Sequence, residues 1–360
     1  MSANQQQPLL PEEPRIGEPV KLADNLYLLS HPLAFQPGHV NSYLIDDGDG
    51  FIAFDSGHIG PDCRAVWQAF LASDLGSKGI KQLMLTHTHP DHSGQAEWLC
   101  RETGAELWLA DVELDAVRRL WRGSCKQPQA MADFFAQWGV PEKHFADILV
   151  MFKGFRAGTS DLQETPLQII QANQQFEWAG QIWQAVFSYG HTPCNVCFYQ
   201  PQSGYLISGD QVLPSIYPNI SVWWGSDANP LQLYLDSIAR LWRLPCNYVM
   251  PSHGMPFAHW HARIEAITQF HHRRLKRLLD FCEDAPVTAF TAIDAILPKS
   301  ERNWTISLVV GQVLALIRYL EGKGLVARSG DEVWQFQSQA NAKTLLADFA
   351  ELNPATAAVT

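Results

Sequence analysis

The chain has 360 residues, 46% of them hydrophobic, and a formal net charge of -11. That composition excludes a fibrous or wholly disordered chain and leaves room for a large core plus a smaller second domain. The acidic balance argues against nonspecific binding to nucleic acid or anionic lipid, so only a local basic patch would do either. Residues 1–18 are expected to form a disordered or extended arm, since the Gln- and Pro-rich start lacks the basic and apolar regions of a secretory leader. No stretch is apolar for long enough to span a bilayer. The seven cysteines follow no disulfide framework, which predicts reduced thiols and a cytoplasmic setting.

Three short strands are predicted at 26–29, 42–45 and 51–54, with turns at Pro37-Gly38 and at Asp47-Gly48-Asp49-Gly50. Asp55-Ser56-Gly57 closes the third strand. A helix over 61–75 ends at Gly76, and an apolar strand at 80–85 runs into Thr86-His87-Thr88-His89-Pro90-Asp91-His92-Ser93-Gly94. Ser93 is expected to cap the helix that follows. Three imidazoles and a carboxylate within six residues have few purposes besides holding metal. A strand-to-helix loop lets His87 and His89 converge on one ion while Asp91 and His92 turn toward a second. These residues alone predict a metallohydrolase.

His87-Thr88-His89-Pro90-Asp91-His92 resembles the signature of the metallo-β-lactamase superfamily. Later segments resemble the family's remaining motifs in order: Tyr189-Gly190-His191-Thr192-Pro193, Leu206-Ile207-Ser208-Gly209-Asp210, and Tyr248-Val249-Met250-Pro251-Ser252-His253-Gly254. The resemblance implies His87, His89 and His191 on one metal, Asp91, His92 and His253 on another, and Asp210 between them. It implies two divalent ions, Zn²⁺ by default with Fe or Mn as alternatives, and a metal-bound hydroxide whose pKa falls from about 15.7 toward about 7. Asp91 would also orient that hydroxide or take its proton, which makes it the catalytic residue. Asp55 resembles the family's D-x-G aspartate, expected to buttress the metal loop by hydrogen bonding. The implied fold is α+β, an αββα sandwich, within a catalytic domain at 19–257. One departure is Cys194-Asn195 where many relatives have a histidine. It puts in doubt any substrate contact from position 195, and buried, inert thiols are expected at Cys194 and Cys197.

Residues 111–173 read as a helical insertion, with helical spacing at Leu114, Val117, Leu120 and Trp121 and again at Met131, Phe134, Phe135 and Trp138. It would form a small subdomain packing on itself, or a lid from which Lys126, Lys153 and Arg156 meet an anionic substrate. Tyr217, Asn219 and Trp223, in the loop after Asp210, are candidate substrate-binding residues, with Tyr217 a donor to a developing oxyanion. Residues 258–345 begin with a long helix whose basic run, His271 to Arg277, reads as a solvated face. Helices at 291–297 and 306–320 and a hairpin near 326–336 resemble the winged-helix extension of some relatives, followed by a tail at 346–360. The would-be recognition helix is apolar and its wing turn, Ser329-Gly330-Asp331-Glu332, is acidic, so nucleic-acid binding is disfavoured and packing or homodimer formation is expected. The expected activity is hydrolysis of an ester-like bond of a small molecule, a thioester or lactone. The closest functional analogue is the glyoxalase II type, although its glutathione-binding helices have no counterpart here. Alternatives are a metal-dependent endoribonuclease or phosphodiesterase, and a non-catalytic binding or regulatory module.

Overall fold

The computed structural model describes residues 14–118, 127–160, 162, 165–226, 228–297, 306–339 and 342. Strands β1 (Val20–Ala23), β2 (Leu26–Pro32), β3 (His39–Asp46) and β4 (Phe51–Phe54) pair antiparallel. Helix α1 (Pro61–Ala72) crosses to β5 (Ile80–Met84), which runs parallel to β4. The short α2 (Pro90–Ser93) and α3 (Ala96–Thr103) then lead to β6 (Glu106–Ala110). After α4 (Asp111–Ala116), α5 (Pro128–Gln137) and α6 (Phe145–Gly158), β7 (Leu167–Ile170) completes a seven-stranded sheet ordered as in the chain.

The second sheet has five strands: β8 (Gln175–Trp178), β9 (Gln181–Ser188), β10 (Asn195–Gln200), β11 (Tyr205–Gly209) and β12 (Tyr248–Pro251). Helix α7 (Pro230–Leu241) connects β11 to β12, which makes that pair parallel. Three helices follow, α8 (Trp260–Phe281), α9 (Ala289–Ile296) and α10 (Ile306–Gly322), and then an antiparallel hairpin of β13 (Val326–Ser329) and β14 (Gln335–Ser338). Among the described residues no helix is long and apolar enough to cross a membrane.

The two sheets pack face to face because alternate residues of each strand are large and apolar. Leu28, Tyr43, Ile52, Phe54 and Met84 of the first meet Trp183, Val196, Phe198 and Ile207 of the second. Phe54 and Phe198 lie edge to face at 4.9 Å, and each such buried ring contributes about 1.5–3 kcal/mol. The outer face of the first sheet is covered by Trp67 and Phe70 of α1 and Leu99 of α3. The second is covered by α7 and the C-terminal helices. This is the α+β, αββα sandwich the motifs implied, with a helical C-terminal region.

Three expectations are corrected. The segment 111–173 is not wholly helical, because Leu167–Ile170 pairs parallel with β6 and extends the first sheet. Nor does it pack only on itself: Met131 and Phe135 do meet Ile148 and Leu149, but with Trp138 and Phe152 they share one core with Val309, Leu316 and Phe336 of the C-terminal region. Trp138 stacks on Phe336 at 5.5 Å, and Arg318 lies over its ring at 4.8 Å. The basic run of α8 is not all solvated either. Helical periodicity turns His271 and Arg274 inward, and Arg274 donates to Gln312 of α10 at 2.9 Å. Leu120, Trp121, Lys126 and the tail at 346–360 lie outside the described residues.

His271 is buried against Tyr234, and neither ring nitrogen has a hydrogen-bond partner among the described residues. Burial, and then the Arg274 charge, hold its pKa down to about 3. The unfolded chain therefore binds a proton that the folded chain refuses between about pH 6.5 and 3, and stability falls as the pH drops through that window. From pH 7 to pH 5 this one group is expected to cost about 2 kcal/mol. Urea unfolding of His271→Phe at both values should show a loss smaller than wild type by that amount. An unchanged difference contradicts the assignment.

Candidate metal centre

Five strands end on one rim of the sandwich, and each delivers a polar residue there. Asp55 follows β4, His87 to His92 follow β5, His191 follows β9, Asp210 follows β11 and His253 follows β12. Three overlapping groups bring ligand atoms within 4.8 Å of one another: His87, His89 and His191; His87, His92 and Asp210; and Asp91, His92 and His253. All seven residues that the motifs singled out therefore converge, although positions 92 and 253 are 161 residues apart in sequence.

Asp210 stands between the groups. One carboxylate oxygen lies 3.5 Å from His92 Nε2 and 3.5 Å from His253 Nε2, and the other lies 3.4 Å from His191 Nε2. Asp91 is 3.3 Å from His253 Nε2 and 3.7 Å from His92 Nε2. Gly209 permits this approach: its φ is +55°, and a Cβ there would meet Asn195 Oδ1 at 2.5 Å. Asn195 is fully buried and accepts from the Asp210 N–H at 3.1 Å. It positions the aspartate backbone and stays away from the rim.

The far nitrogen of four imidazoles is held by the protein, which fixes which nitrogen faces the centre. His92 Nδ1 lies 2.8 Å from Asp55 Oδ2, His253 Nδ1 lies 2.8 Å from the His39 carbonyl, and His191 Nδ1 lies 3.0 Å from the Asn219 carbonyl. Thr86 Oγ1 donates to Asp55 Oδ2 at 2.8 Å, so its lone pair can accept from His87 Nδ1 at 3.0 Å. Asp55 also accepts from the Thr86 N–H at 2.8 Å. Its φ of +61° is uncommon for a residue with a side chain and costs about 1–2 kcal/mol, sustained by these bonds.

The inward atoms tell the same story. His92 Nε2, His191 Nε2 and Asp210 Oδ1 are buried with no hydrogen-bond partner among the described residues, an arrangement that normally costs about 1–3 kcal/mol per group. Burial, then the neighbouring His92 and His89, hold His87 well below the usual histidine range, and burial, then His191, bring His89 down to about 3. On the other side the carboxylates win. Burial opposes the charge, but Asp210 lifts His253 to about 10, and Asp210, Asp91 and Asp55 lift His92 well above its ordinary value. Neutral imidazoles on one side and proton-paired carboxylates on the other are a donor set suited to two divalent ions, whose charge can replace those protons.

The remaining sequence candidates fall in different places. Trp223 lines a shallow, open recess beside His89 and His191, together with Thr88, Pro193 and Ser221. Asn219 acts through its backbone on His191, and its side chain accepts from Ser221 at 2.8 Å. Tyr217 stacks on Phe270 of α8 at 3.8 Å beneath Arg263, so its ring is committed to the C-terminal helix. Ser93 does not cap α3. Its hydroxyl turns back to the carbonyls of Thr88 and His89, each at 3.2 Å, because the helical turn already begins at Pro90. Lys153 and Arg156 are exposed on α6. That helix nonetheless reaches the loop through Phe155, whose ring lies 6.0 Å from His89. The C-terminal region reaches it too, since the Gly311 carbonyl of α10 accepts from Val222 N–H at 3.0 Å in the segment that holds His191. Cys194 and Cys197 are buried free thiols, and burial pushes Cys197 up to about 12. Glu113, buried at the start of α4, was not singled out from sequence, because no motif separates it from a surface glutamate.

Comparison with known proteins adds four findings. The model of the Metallo-beta-lactamase superfamily matches residues 35–253. The crystal structure of a Beta-lactamase domain protein from Burkholderia ambifaria is similar at a TM-score of 0.77 and 26% identity, over 92% of this chain and 98% of that one. In sequence, the chain is 23% identical over 287 residues to the probable metallo-hydrolase YqjP of Bacillus subtilis (strain 168), covering 74% of this chain and 83% of that protein. It is 22% identical over 251 residues to the atrochrysone carboxyl ACP thioesterase of Aspergillus fumigatus, covering 69% of this chain and 61% of that protein.

Proposed function

The chain belongs to the metallo-β-lactamase superfamily as a metallo-hydrolase of that fold, and from that premise we propose that it hydrolyses a thioester or lactone of a small molecule at a two-metal centre. His87, His89 and His191 would hold one ion, Asp91, His92 and His253 the other, and Asp210 both. The carrying observation is the Asp210 carboxylate, whose two oxygens face the two histidine groups separately. Divalent ions, Zn²⁺ by default, would supply Lewis acidity, making a water nucleophilic at neutral pH and polarising the scissile carbonyl.

The chain's own residues account for the rest. Asp91, partly exposed and 3.3 Å from His253 Nε2, would orient the attacking water and take its proton. Attack on the carbonyl carbon then breaks the C–S or C–O bond, and the thiol or alcohol leaves with a proton. The recess bounded by Trp223, Ser221 and Pro193 would receive the acyl part. Similarity to a thioesterase supports the ester-like class. Phosphodiester chemistry on RNA is the second candidate, since the same pair of ions would serve it. It is disfavoured because Val309, Val310, Val313, Leu314, Leu316 and Ile317 of α10 are all buried and cannot enter a groove. The hairpin is likewise pinned, with the Trp334 N–H donating to the Gln137 carbonyl at 2.7 Å.

A panel of thioesters, lactones, phosphodiesters and single-stranded RNA, assayed on metal-loaded protein, tests this directly. Thioester or lactone turnover is expected, falling at least about 100-fold in His89→Ala. Turnover that survives the substitution would sink the metal mechanism, and cleavage of RNA alone would favour the second candidate.

A further inference from the structure

Glu113 is an acidic side chain that neither the metal centre nor the core uses. It is 1% exposed and lies in the first turn of α4, which follows β6 directly. One carboxylate oxygen accepts from the Thr88 N–H at 2.9 Å and from Thr88 Oγ1 at 2.7 Å. The other accepts from the Cys194 N–H at 2.8 Å. Thr88 sits between His87 and His89, and Cys194 lies three residues beyond His191 in the β9–β10 connection. Those two loops come from different sheets, and this carboxylate ties them together.

We propose that Glu113 is a positioning residue that sets the separation of the His87–His89 loop from the His191 loop, and so tunes the ion held by those three histidines. The proposal rests on the two-metal reading above. A carboxylate suits the task because it is acceptor-only, and the Thr88 N–H, Thr88 Oγ1 and Cys194 N–H that bond to it are all donors. The isosteric amide cannot replace it. Glutamine has one acceptor oxygen, so its NH₂ must face either the Thr88 or the Cys194 N–H, and one of the two straps is lost. The ion at Asp91, His92 and His253 has its own supports in Asp55 and the His39 carbonyl, and Glu113 touches neither. The effect is therefore confined to one of two binding steps.

Zinc titration against a chromophoric chelator, on wild type and Glu113→Gln, reads the two steps separately. Two steps are expected in wild type. In the variant one should weaken about 10- to 100-fold while the other stays within about 2-fold. His191→Ala marks which step belongs to the three histidines, and adding Glu113→Gln to it should leave the surviving step unchanged. Two wild-type steps with both retained, or both weakened equally, in Glu113→Gln overturns the positioning role. A wild type that binds no zinc overturns the two-metal reading itself, and the strap with it. If Glu113→Gln does not fold, Thr88→Val decides: it deletes one bond to the carboxylate, and a smaller loss at the same step is expected, whereas no selective loss overturns the proposal.

Discussion

Replacing Asp210 by alanine is expected to lower kcat by about 10³-fold or more while leaving the fold intact. The size follows from its position. Residues that merely orient a ligand are worth about 10- to 100-fold, whereas the two Asp210 oxygens face both histidine groups at 3.4–3.5 Å. Its loss also leaves His92 and His253 facing one another with only Asp91 to balance them, so fewer ions should be retained per chain. In the absence of metal stability should fall, because His92 and His253, which Asp210 lifts above their ordinary pKa values, lose the larger part of the negative charge that balances them. Steady-state turnover of the best substrate from the panel, with circular dichroism as the folding control, checks both parts. Activity within 10-fold of wild type would show that Asp210 does not join the two sites.

Asp55→Ala is expected to act on stability as well as on metal. The side chain satisfies the Thr86 N–H, Thr86 Oγ1 and His92 Nδ1 at 2.8 Å each, all in a buried setting. Removing it strands these donors, at a cost of about 3–5 kcal/mol by the measure of breaking a buried charge pair. Alanine also tolerates the φ of +61° less well than aspartate does. With His92 no longer oriented, zinc affinity at the Asp91, His92 and His253 group should fall about 10- to 100-fold. Asp55→Asn restores part of the network, so its stability should lie between the two. Chemical unfolding gives the first quantity and metal titration the second. Wild-type values for both in Asp55→Ala would reduce Asp55 to a turn residue.

Much of this centre is visible in the sequence because its densest part is local. His87 to His92 are six consecutive positions, and chemistry alone separates them from ordinary loop residues. His191, Asp210 and His253 are single polar residues at strand ends. Only their order in the chain gave them meaning. What stayed hidden depends on partners far away in sequence. Glu113 is buried by contacts with Cys194, 81 residues on, and nothing in Asp111-Val112-Glu113-Leu114 marks it as anything but a helix start. The same holds for Arg274, whose partner Gln312 is 38 residues distant. Strand β7 was missed because four residues, Leu167-Gln168-Ile169-Ile170, carry little periodicity before a parallel neighbour is known. Tyr217 was placed near the substrate by its nearness to Asp210 in the chain, and its stacking on Phe270 depends on a residue 53 positions later.

The central claim is that one rim of the sandwich holds two ions, and the number of ions per chain tests it most directly. Wild-type protein loaded with zinc, freed of excess by desalting and measured by elemental analysis should carry close to two ions per chain, and His89→Ala about one. A wild type that carries fewer than one ion after loading, or a His89→Ala variant that keeps both, contradicts the two-metal centre.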